Sequence, residues 1–361
     1  MHLCHDRGHR RRLRRMRRAH TGKRRHGRHQ QPGEQRQRRQ ARGMRQSLEG
    51  QGTHAASVLR SARPLNAGPG SSLAAHDCRM NYRHAYHAGN FADVLKHCVL
   101  IALIEALQAK PKPLCYLDTH AGAGRYDLSG EAARKTAEAD AGIGRLRALH
   151  GRLPLLDRYL DLVAAEGADH YPGSPRIAAR LLRADDAAQL CELLPEEAAK
   201  LRALFRDDRR IHVHERDGYA AMKALLPPTQ KRGLVLIDPP FEEQIDEYAR
   251  IQTALDTALT RWPSGVYAVW YPIKLGRELH PFRRWLRGCA AKTVLDIELL
   301  TRPDTVPQRL NGAGIAVLNP PWRLDATLHP LLRLLATQLA ADGERGTARL
   351  NWLKTEDGTA V

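Results

Sequence analysis

Short runs of apolar residues alternate along this chain with longer stretches of helical periodicity. Short apolar runs predict strands at residues 114–118 and 233–237, because a strand covered on both faces of a sheet is apolar throughout, and two segments that also contain polar residues predict strands at 188–193 and 211–215. Further strands are expected at residues 265–271, 293–300 and 314–318, with helices between them. Helical periodicity covers residues 90–109, where Asn90 is the predicted N-cap.

This alternation predicts an α/β fold with an open, doubly wound, mostly parallel sheet covered by helices on both faces. The first crossover is unusually long. A carboxylate such as Glu192 normally follows the first strand by about 20 residues in a compact nucleotide-binding unit, and here the separation from Asp118 is several times longer. We therefore expect a helical insertion at about residues 125–186 in the first crossover.

Acidic residues stand at the carboxyl ends of the first four predicted strands. Asp118 precedes a run of small residues, Glu192 is placed to hold ribose hydroxyls, and Asp217-Gly218 is placed to meet an adenine. Each acid alone is more simply read as an ordinary charge at a strand end. Together, with Asp238 fourth in order, they predict a crevice for a nucleotide-like cofactor.

The fourth strand stops at Asp238-Pro239-Pro240-Phe241, since proline cannot continue a ladder of hydrogen bonds. A carboxylate beside an aromatic ring suits a flat ring that carries an amino group. The plainer interpretation is a proline-rich turn. A rival motif, Asn319-Pro-Pro-Trp322, follows the strand at 314–318. We interpret it as a structural turn that packs Trp322, and we prefer Asp238 as the catalytic residue.

The positive charge of the chain is concentrated at its start. Residues 1–79 contain 20 Lys+Arg against 4 Asp+Glu, and they hold too few apolar residues to fold alone. This arm could bind nucleic acid, be an unstructured tail, or be translated sequence upstream of the true start. We favour a start near Met80 over a functional arm, with the catalytic domain spanning residues 80–361.

The cysteines and apolar runs indicate a reducing, aqueous location. The six cysteines are scattered without a C-x-x-C pair, which argues against disulfides and a zinc site and favours the cytoplasm. The longest apolar run, residues 98–109, is interrupted by Glu105 and is too short for a membrane span. We therefore expect neither a metal nor a membrane partner.

Several strings together resemble one family. The order of the acids resembles S-adenosylmethionine-dependent methyltransferases that act on exocyclic amines of bases. Eight strings narrow this resemblance to the bacterial 23S ribosomal RNA adenine-N6 methyltransferases, whose members modify adenine 2030. These strings are Tyr82-Arg-His, His87-Ala-Gly-Asn, Ala92-Asp-Val-Leu-Lys-His97, Tyr116-Leu-Asp-Thr-His-Ala-Gly-Ala-Gly-Arg-Tyr126, Tyr171-Pro-Gly-Ser-Pro175, Leu236-Ile-Asp-Pro-Pro-Phe241, Trp270-Tyr-Pro272 and Asn319-Pro-Pro-Trp322. The match runs from Met80 to about Trp352.

The resemblance implies a Rossmann-like class I methyltransferase and a set of site residues. Cofactor contacts would fall on His97, His120, Ser174, Glu192, Asp217 and Gly218. Asp238 would accept the proton, Tyr82 would touch the RNA, and Pro239 and Phe241 would hold the adenine, with Phe241 replacing the tyrosine more usual in this family. The expected protein is a monomer that binds S-adenosylmethionine and methylates 23S RNA, either naked or in an early assembly intermediate.

Two other interpretations stay open from the residues. Asp-Pro-Pro-Phe also serves DNA adenine or cytosine amine methyltransferases, and a methyltransferase fold can persist in a non-catalytic RNA-binding protein. A nicotinamide dehydrogenase is disfavoured because no G-x-G-x-x-G is present. Cations on or near the insertion could follow RNA phosphates or simply form a solvated helix face; they are Arg125, Arg134, Lys135, Arg176, Arg180 and Arg183.

Overall fold

The computed structural model describes residues 84–130, 136–241 and 244–357. All of them lie in the second of the two units into which the chain divides, His76–Val361. The predicted arm at residues 1–79 and the predicted RNA contact Tyr82 lie outside the described residues, as do Arg134 and Lys135.

The strands of the described part of the chain are β1 (Cys115–Asp118), β2 (Arg125–Asp127), β3 (His170–Pro172), β4 (Ala187–Glu192), β5 (Ile211–Glu215), β6 (Gly233–Ile237), β7 (Val266–Ile273), β8 (Val294–Leu300), β9 (Gly312–Leu318) and β10 (Thr347–Lys354). The described α-helices are α1 (Phe91–Gln108), α2 (Pro154–Ala164), α3 (Ser174–Leu181), α4 (Pro195–Phe205), α5 (Gly218–Leu225), α6 (Gln244–Arg261), α7 (His280–Gly288) and α8 (Leu324–Gln338). Within these ranges no helix is both long and apolar enough to cross a membrane.

Eight strands form one sheet in the order β10-β8-β9-β7-β6-β1-β4-β5. The strands from β5 across to β7 are mutually parallel, and the pairs β7–β9, β9–β8 and β8–β10 are antiparallel. This confirms the predicted doubly wound, mostly parallel α/β sheet. The chain order reverses between β1 and β6, and at such a switch point the carboxyl ends of the strands open into a crevice.

The antiparallel end of the sheet differs from the prediction. A helix was expected between the strands now labelled β8 and β9, but residues 301–311 form a loop. Pro303 and Pro307 interrupt this stretch, and antiparallel neighbours need no helical crossover. Strand β10 was missed, although Ala348, Leu350 and Trp352 alternate with polar residues as an edge strand does.

The segment between β1 and β4 contains α2 and α3 together with two short strands that the helical pattern did not reveal. Strands β2 and β3 pair antiparallel, with Tyr126 opposite Tyr171. Strands of three residues are too short to show a period of two, so their pairing is set by the packing of the whole insertion.

Helix α1 is buried almost all round, because every residue from Ala92 to Ile104 is buried. The helix packs against α2, α3, α8 and the sheet. Its predicted N-cap is confirmed: the Oδ1 atom of Asn90 accepts from the backbone N–H groups of Ala92 and Asp93 at 2.9 and 3.0 Å. Since a helix of this kind is apolar on every side, its few charged residues are conspicuous.

Candidate active site

A single cleft of about 1380 Å³ opens at the carboxyl ends of β1 and β6. The predicted site residues that line it are His97, His120, Ser174, Glu192, Asp217, Gly218, Asp238, Pro239 and Phe241. The fold thus brings together every predicted site residue that the structure describes. Their individual roles stay predictions.

The centre of the cleft is an ion pair between Lys96 and Asp238. The Nζ atom of Lys96 donates to Oδ2 of Asp238 at 2.6 Å and to Oδ1 of Asp93 at 2.8 Å. Burial alone would lower the pKa of the Lys96 ammonium, but the two carboxylates outweigh it and hold that pKa well above its usual value. Lys96 was not among the predicted site residues.

Asp93 connects this pair to the start of the described chain. Its Oδ2 atom accepts from the backbone N–H of Gly89 at 2.9 Å and contacts Nε2 of His84 at 3.0 Å. Burial would raise the pKa of the Asp93 carboxyl, yet His84 and Lys96 hold it well below its usual range. The short segment before α1 is therefore tied to the Lys96–Asp238 pair through one buried carboxylate.

His97 follows Lys96 on α1 and is fully buried. Its Nδ1 atom lies 2.8 Å from the hydroxyl of Tyr171, whereas its Nε2 atom has no partner within the described residues. Burial lowers the pKa of the imidazole to about 3, so the ring is neutral at physiological pH. An unpartnered buried ring nitrogen that borders the cleft fits the predicted cofactor contact.

Asp118 and Ser174 contact each other at the base of the cleft. The Oδ2 atom of Asp118 accepts from the hydroxyls of Tyr116 at 2.6 Å and Ser174 at 2.7 Å. Burial raises the pKa of the Asp118 carboxyl to about 6, against the opposing effect of these hydrogen bonds. This bond fixes the Ser174 hydroxyl at the start of α3, so the insertion is joined to the end of β1.

His120 is held by Thr119. The Thr119 hydroxyl donates to the carbonyl of Leu236 at 3.0 Å and lies 2.8 Å from Nδ1 of His120. Because the hydroxyl has only one hydrogen, Nδ1 is assigned as the donor in this second contact. Burial lowers the pKa of His120 to about 4, and its ring packs edge-on against Tyr219 at 5.2 Å.

Glu192 closes the glycine turn that follows β1. Its Oε2 atom accepts from the N–H of Gly122 at 2.8 Å, and its Oε1 atom accepts from the N–H of Leu194 at 2.8 Å. Each carboxylate oxygen has a further lone pair for a ligand hydroxyl. Gly122 has a φ of +61°, and a Cβ there would lie 2.2 Å from the hydroxyl of Tyr126, so only glycine fits this turn.

Asp217 and Gly218 form the start of α5. The Oδ1 atom of Asp217 caps the helix by accepting from the N–H of Ala220 at 2.8 Å, and its Oδ2 atom accepts from Arg250 at 3.0 Å. A Cβ at Gly218 would lie 2.0 Å from the carbonyl oxygen of Thr119. The glycine therefore lets α5 approach the end of β1 closely, which defines the width of the cleft.

Phe241 has a φ of +51°, a strained conformation for a residue with a side chain. The ring is buried, with 6% exposed, and packs edge-on against Tyr248 at 5.2 Å and Trp270 at 5.7 Å. The turn through Pro239 and Pro240 thus holds one aromatic ring against two others beside Asp238. A base that stacks here would meet Phe241 and Trp270, which both line the cleft, rather than one exposed ring.

The rival motif lies at the opposite edge of the sheet, because β9 runs antiparallel to β6 and β7. The Asn319 side chain accepts from the N–H of Lys292 at 2.9 Å and donates to the carbonyls of Pro263 and Gly265 at 3.0 and 2.8 Å. This side chain shapes a turn, as we expected. The expectation that the turn packs Trp322 is wrong, since the indole is 86% exposed.

The predicted RNA-contacting arginines are largely engaged with carboxylates. Arg125, Arg176 and Arg180 converge on Glu166 at 3.1, 2.8 and 2.7 Å. Arg183 pairs with Asp186 at 3.0 Å. These bonds tie β2 and α3 to the loop before β3, so they explain the positions of the arginines without RNA. In the described parts of the chain, no group of three or more His, Cys, Asp or Glu side chains has an arrangement that could hold a metal ion.

Comparison with known proteins gives consistent matches. The model of the family described as "Ribosomal RNA large subunit methyltransferase D, RlmJ" matches residues 111–354. The Escherichia coli (strain K12) protein named "Ribosomal RNA large subunit methyltransferase J" is 40% identical over 281 residues, which cover 77% of this chain and 100% of that protein. The protein of the same name from Haemophilus influenzae is 39% identical over 282 residues with the same coverage. The crystal structure of protein LPL1258 from Legionella pneumophila is 34% identical with a TM-score of 0.67, and the match covers 73% of this chain and 98% of that one.

Proposed function

Because the chain belongs to the RlmJ family of ribosomal RNA large subunit methyltransferases, we propose that it methylates N6 of an adenine in 23S ribosomal RNA, with S-adenosylmethionine as the methyl donor. The membership confirms the resemblance inferred from the sequence and the expected Rossmann-like methyltransferase fold. Adenine 2030 is the proposed position, on the strength of the family resemblance.

The cofactor half of the cleft supports the choice of donor. Glu192 offers carboxylate lone pairs to ribose hydroxyls, and the approach of Gly218 to β1 leaves a slot for an adenine. The Nε2 atom of His97 is buried and has no partner among the residues that the structure describes, which is unusual for a polar atom and is explained by a ligand at this wall. We assign these residues, with His120, Ser174 and Asp217, to the cofactor. The bound cofactor would supply an electrophilic methyl group on a sulfonium.

The observation that carries the proposal is the fixed carboxylate of Asp238 at the wall between the cofactor residues and Phe241. Adenine N6 is a weak nucleophile because its lone pair is delocalised into the ring. Lys96 holds Oδ2 of Asp238, and Oδ1 has no hydrogen bond to the described residues. Oδ1 can therefore accept from N6, which favours a pyramidal nitrogen whose lone pair points towards the methyl group.

Positioning provides most of the rate in such a transfer. Transfer of the methyl group to N6 would leave one N6 proton to depart, and Asp238 or water would accept it. An adenine inside a base stack cannot reach Asp238, so we propose that the base is flipped against the wall of Phe241 and Trp270.

The proposed substrate is naked 23S RNA or an early assembly intermediate, on the strength of the family resemblance alone. We further propose that the protein acts as a cytoplasmic monomer, that residues 80–361 form the catalytic domain with the insertion at about 125–186, and that Tyr82 contacts the RNA. The full-length match of the curated relatives to 77% of this chain supports the domain assignment.

Methyl transfer to defined nucleic acids tests the proposal. Purified protein and labelled S-adenosylmethionine are incubated with naked 23S RNA, assembled large subunits and duplex DNA, and the product is located by nuclease digestion and mass spectrometry. We expect N6-methyladenine at one site in the naked RNA. Methylation of the DNA in its place would favour the DNA amine methyltransferases, and cofactor binding without transfer would favour a non-catalytic RNA-binding protein.

A further inference from the structure

The cleft extends well past the residues assigned to the cofactor and to Asp238. Its lining also includes Trp270 and Pro272 on β7, Lys274 just after this strand, and Arg302 in the loop between β8 and β9. The whole cleft, at about 1380 Å³, is larger than the ~300–1,000 Å³ typical of a site for one small ligand. The second half is therefore available to another part of the substrate.

Two cations in this half are unlike the others that line the cleft. Arg145, Lys200 and Arg250 are paired with Asp342, Glu197 and Asp217 at 2.6, 2.7 and 3.0 Å. Lys274 and Arg302, by contrast, form no ion pair with any residue that the structure describes. Their positive charge is therefore available to an anionic ligand.

Donors without acceptors mark the same wall. The Nε atom of Arg302 and the indole Nε1 atom of Trp270 are both buried, and neither has a hydrogen-bond partner among the described residues. Buried N–H groups without an acceptor are rare in folded proteins. Both belong to side chains that border the cleft, so an acceptor supplied by a ligand there would satisfy them.

Asn311 connects the backbone segments that carry the two cations. Its side-chain amide donates to the carbonyls of Lys274 and Val306, and its backbone carbonyl accepts from the N–H of Arg302 at 3.4 Å. Asn311 is itself fully buried. The end of β7 and the loop of residues 301–311 are thus joined through one residue, which holds the backbones of Lys274 and Arg302 at the same wall of the cleft.

We propose that Lys274 and Arg302 form a subsite for a backbone phosphate of the RNA strand next to the target adenine, with the Trp270 indole as a neighbouring donor. Phosphate oxygens are the acceptors that a guanidinium and an ammonium bind best at neutral pH. The subsite rests on the proposed function, because it lies in the same cleft as Asp238. It would hold the strand while the base is turned towards the carboxylate.

The test measures binding of an in vitro transcribed 23S RNA fragment at several salt concentrations. The variants are Lys274→Gln, Arg302→Gln and their combination, with Lys274→Arg and Arg302→Lys as charge-conserving partners. Matched controls are Arg277→Gln and Arg309→Gln, since both residues are exposed, lie near the same loops and do not line the cleft. Cofactor affinity and thermal melting are measured for every variant.

We expect the double Gln variant to bind RNA at least about tenfold more weakly and to raise KM for RNA more than it lowers kcat. The slope of log K against log salt should fall by roughly 0.7 for each lost phosphate contact. Charge-conserving variants and both controls should keep the wild-type slope, and cofactor affinity should not change.

Gln variants that match the controls would overturn the subsite. The subsite would also be overturned if the Gln variants and the charge-conserving variants all lost cofactor affinity or cooperative melting, because that pattern indicates a structural role. If wild-type protein methylates 23S RNA and the Gln variants bind it normally, only the subsite fails. If wild type binds the RNA through these cations but never methylates it, the subsite stands and the proposed function fails.

Discussion

Lys96 and Asp238 are 142 residues apart in the chain, and their side chains meet at 2.6 Å in the centre of the cleft. Lys96 is 5% exposed and Asp238 is 16% exposed, so the pair is shielded from water on the protein side and open to the cleft on the other. The carboxylate is therefore held by the protein before any base arrives.

Replacement of Asp238 by Ala should abolish methyl transfer and leave cofactor binding nearly unchanged. Loss of a hydrogen-bonding or acid–base group at the reacting atom costs ~100-fold to 10,000-fold in rate. The measurements are kcat with an RNA fragment and cofactor affinity by calorimetry. Asn319→Ala, in the rival motif, is the control: it should lower stability by about 1–3 kcal/mol through lost hydrogen bonds and keep kcat. If the Asn319 variant alone lost activity, the assignment of the two motifs would be reversed.

Replacement of Lys96 by Met should destabilise the protein and reduce activity together. It leaves Asp93 and Asp238 without their shared cation, and breaking a buried pair by removing one partner typically costs about 3–5 kcal/mol. Urea denaturation checks the stability, and kcat checks the orientation of Asp238. Lys96→Arg keeps the charge and should retain more of both. If the Lys96→Met variant were as stable as wild type, the ion pairs of Lys96 with Asp93 and Asp238 would not contribute the stability expected from their short distances.

Acidification should weaken the fold through His97. Its folded pKa is about 3, so below its ordinary value of about 6.5 the unfolded chain takes up a proton that the folded chain does not. Stability is therefore lost as pH falls from about 6.5 towards 3, by about 2 kcal/mol from this group at pH 5. Asp118, with its pKa raised to about 6, acts in the opposite direction. His97→Phe removes only the first effect, so between pH 7.5 and 5.0 it should lose less stability in urea than wild type; equal losses would refute the effect.

Gly218→Ala should separate α5 from β1 and weaken cofactor binding, because the new methyl group would lie 2.0 Å from the Thr119 carbonyl oxygen. We expect a loss of stability of ~1–3 kcal/mol, typical of overpacking, and a clear loss of cofactor affinity. Gly288→Ala is the matched control, since a Cβ there meets nothing within 4 Å. If both variants bound the cofactor like wild type, the close approach at Gly218 would have no role in the cleft.

The sequence predicts the parallel half of the sheet well because each buried strand is a short apolar run followed by an acid or a turn. Its antiparallel half was predicted less well. The apolar runs of β8 and β9 show no difference that encodes direction, and the loop between them owes its course to Asn311, whose contacts with Lys274 and Val306 connect distant segments. Pairing direction is a property of the packed sheet.

The site residues were likewise predicted only in part. Acids at strand ends were visible because their positions follow from the strands. Lys96 was not chosen, although a signal existed: Asp93 and Lys96 are three apart, on one face of a stretch that is otherwise nearly all apolar. Charges at such positions must find partners, and the sequence alone does not say that Asp238 is one of them.

Burial of α1 also constrains how the protein is made. Lys96 emerges from the translating ribosome long before Asp238, and at about 5–20 residues per second the interval is on the order of ten seconds. Until β6 is in place, a buried Lys96 ammonium would have only Asp93 to offset its desolvation. The nascent chain therefore has reason to leave α1 undocked until its fourth parallel strand has been synthesised, so that burial of Lys96 and formation of its ion pair with Asp238 become one event.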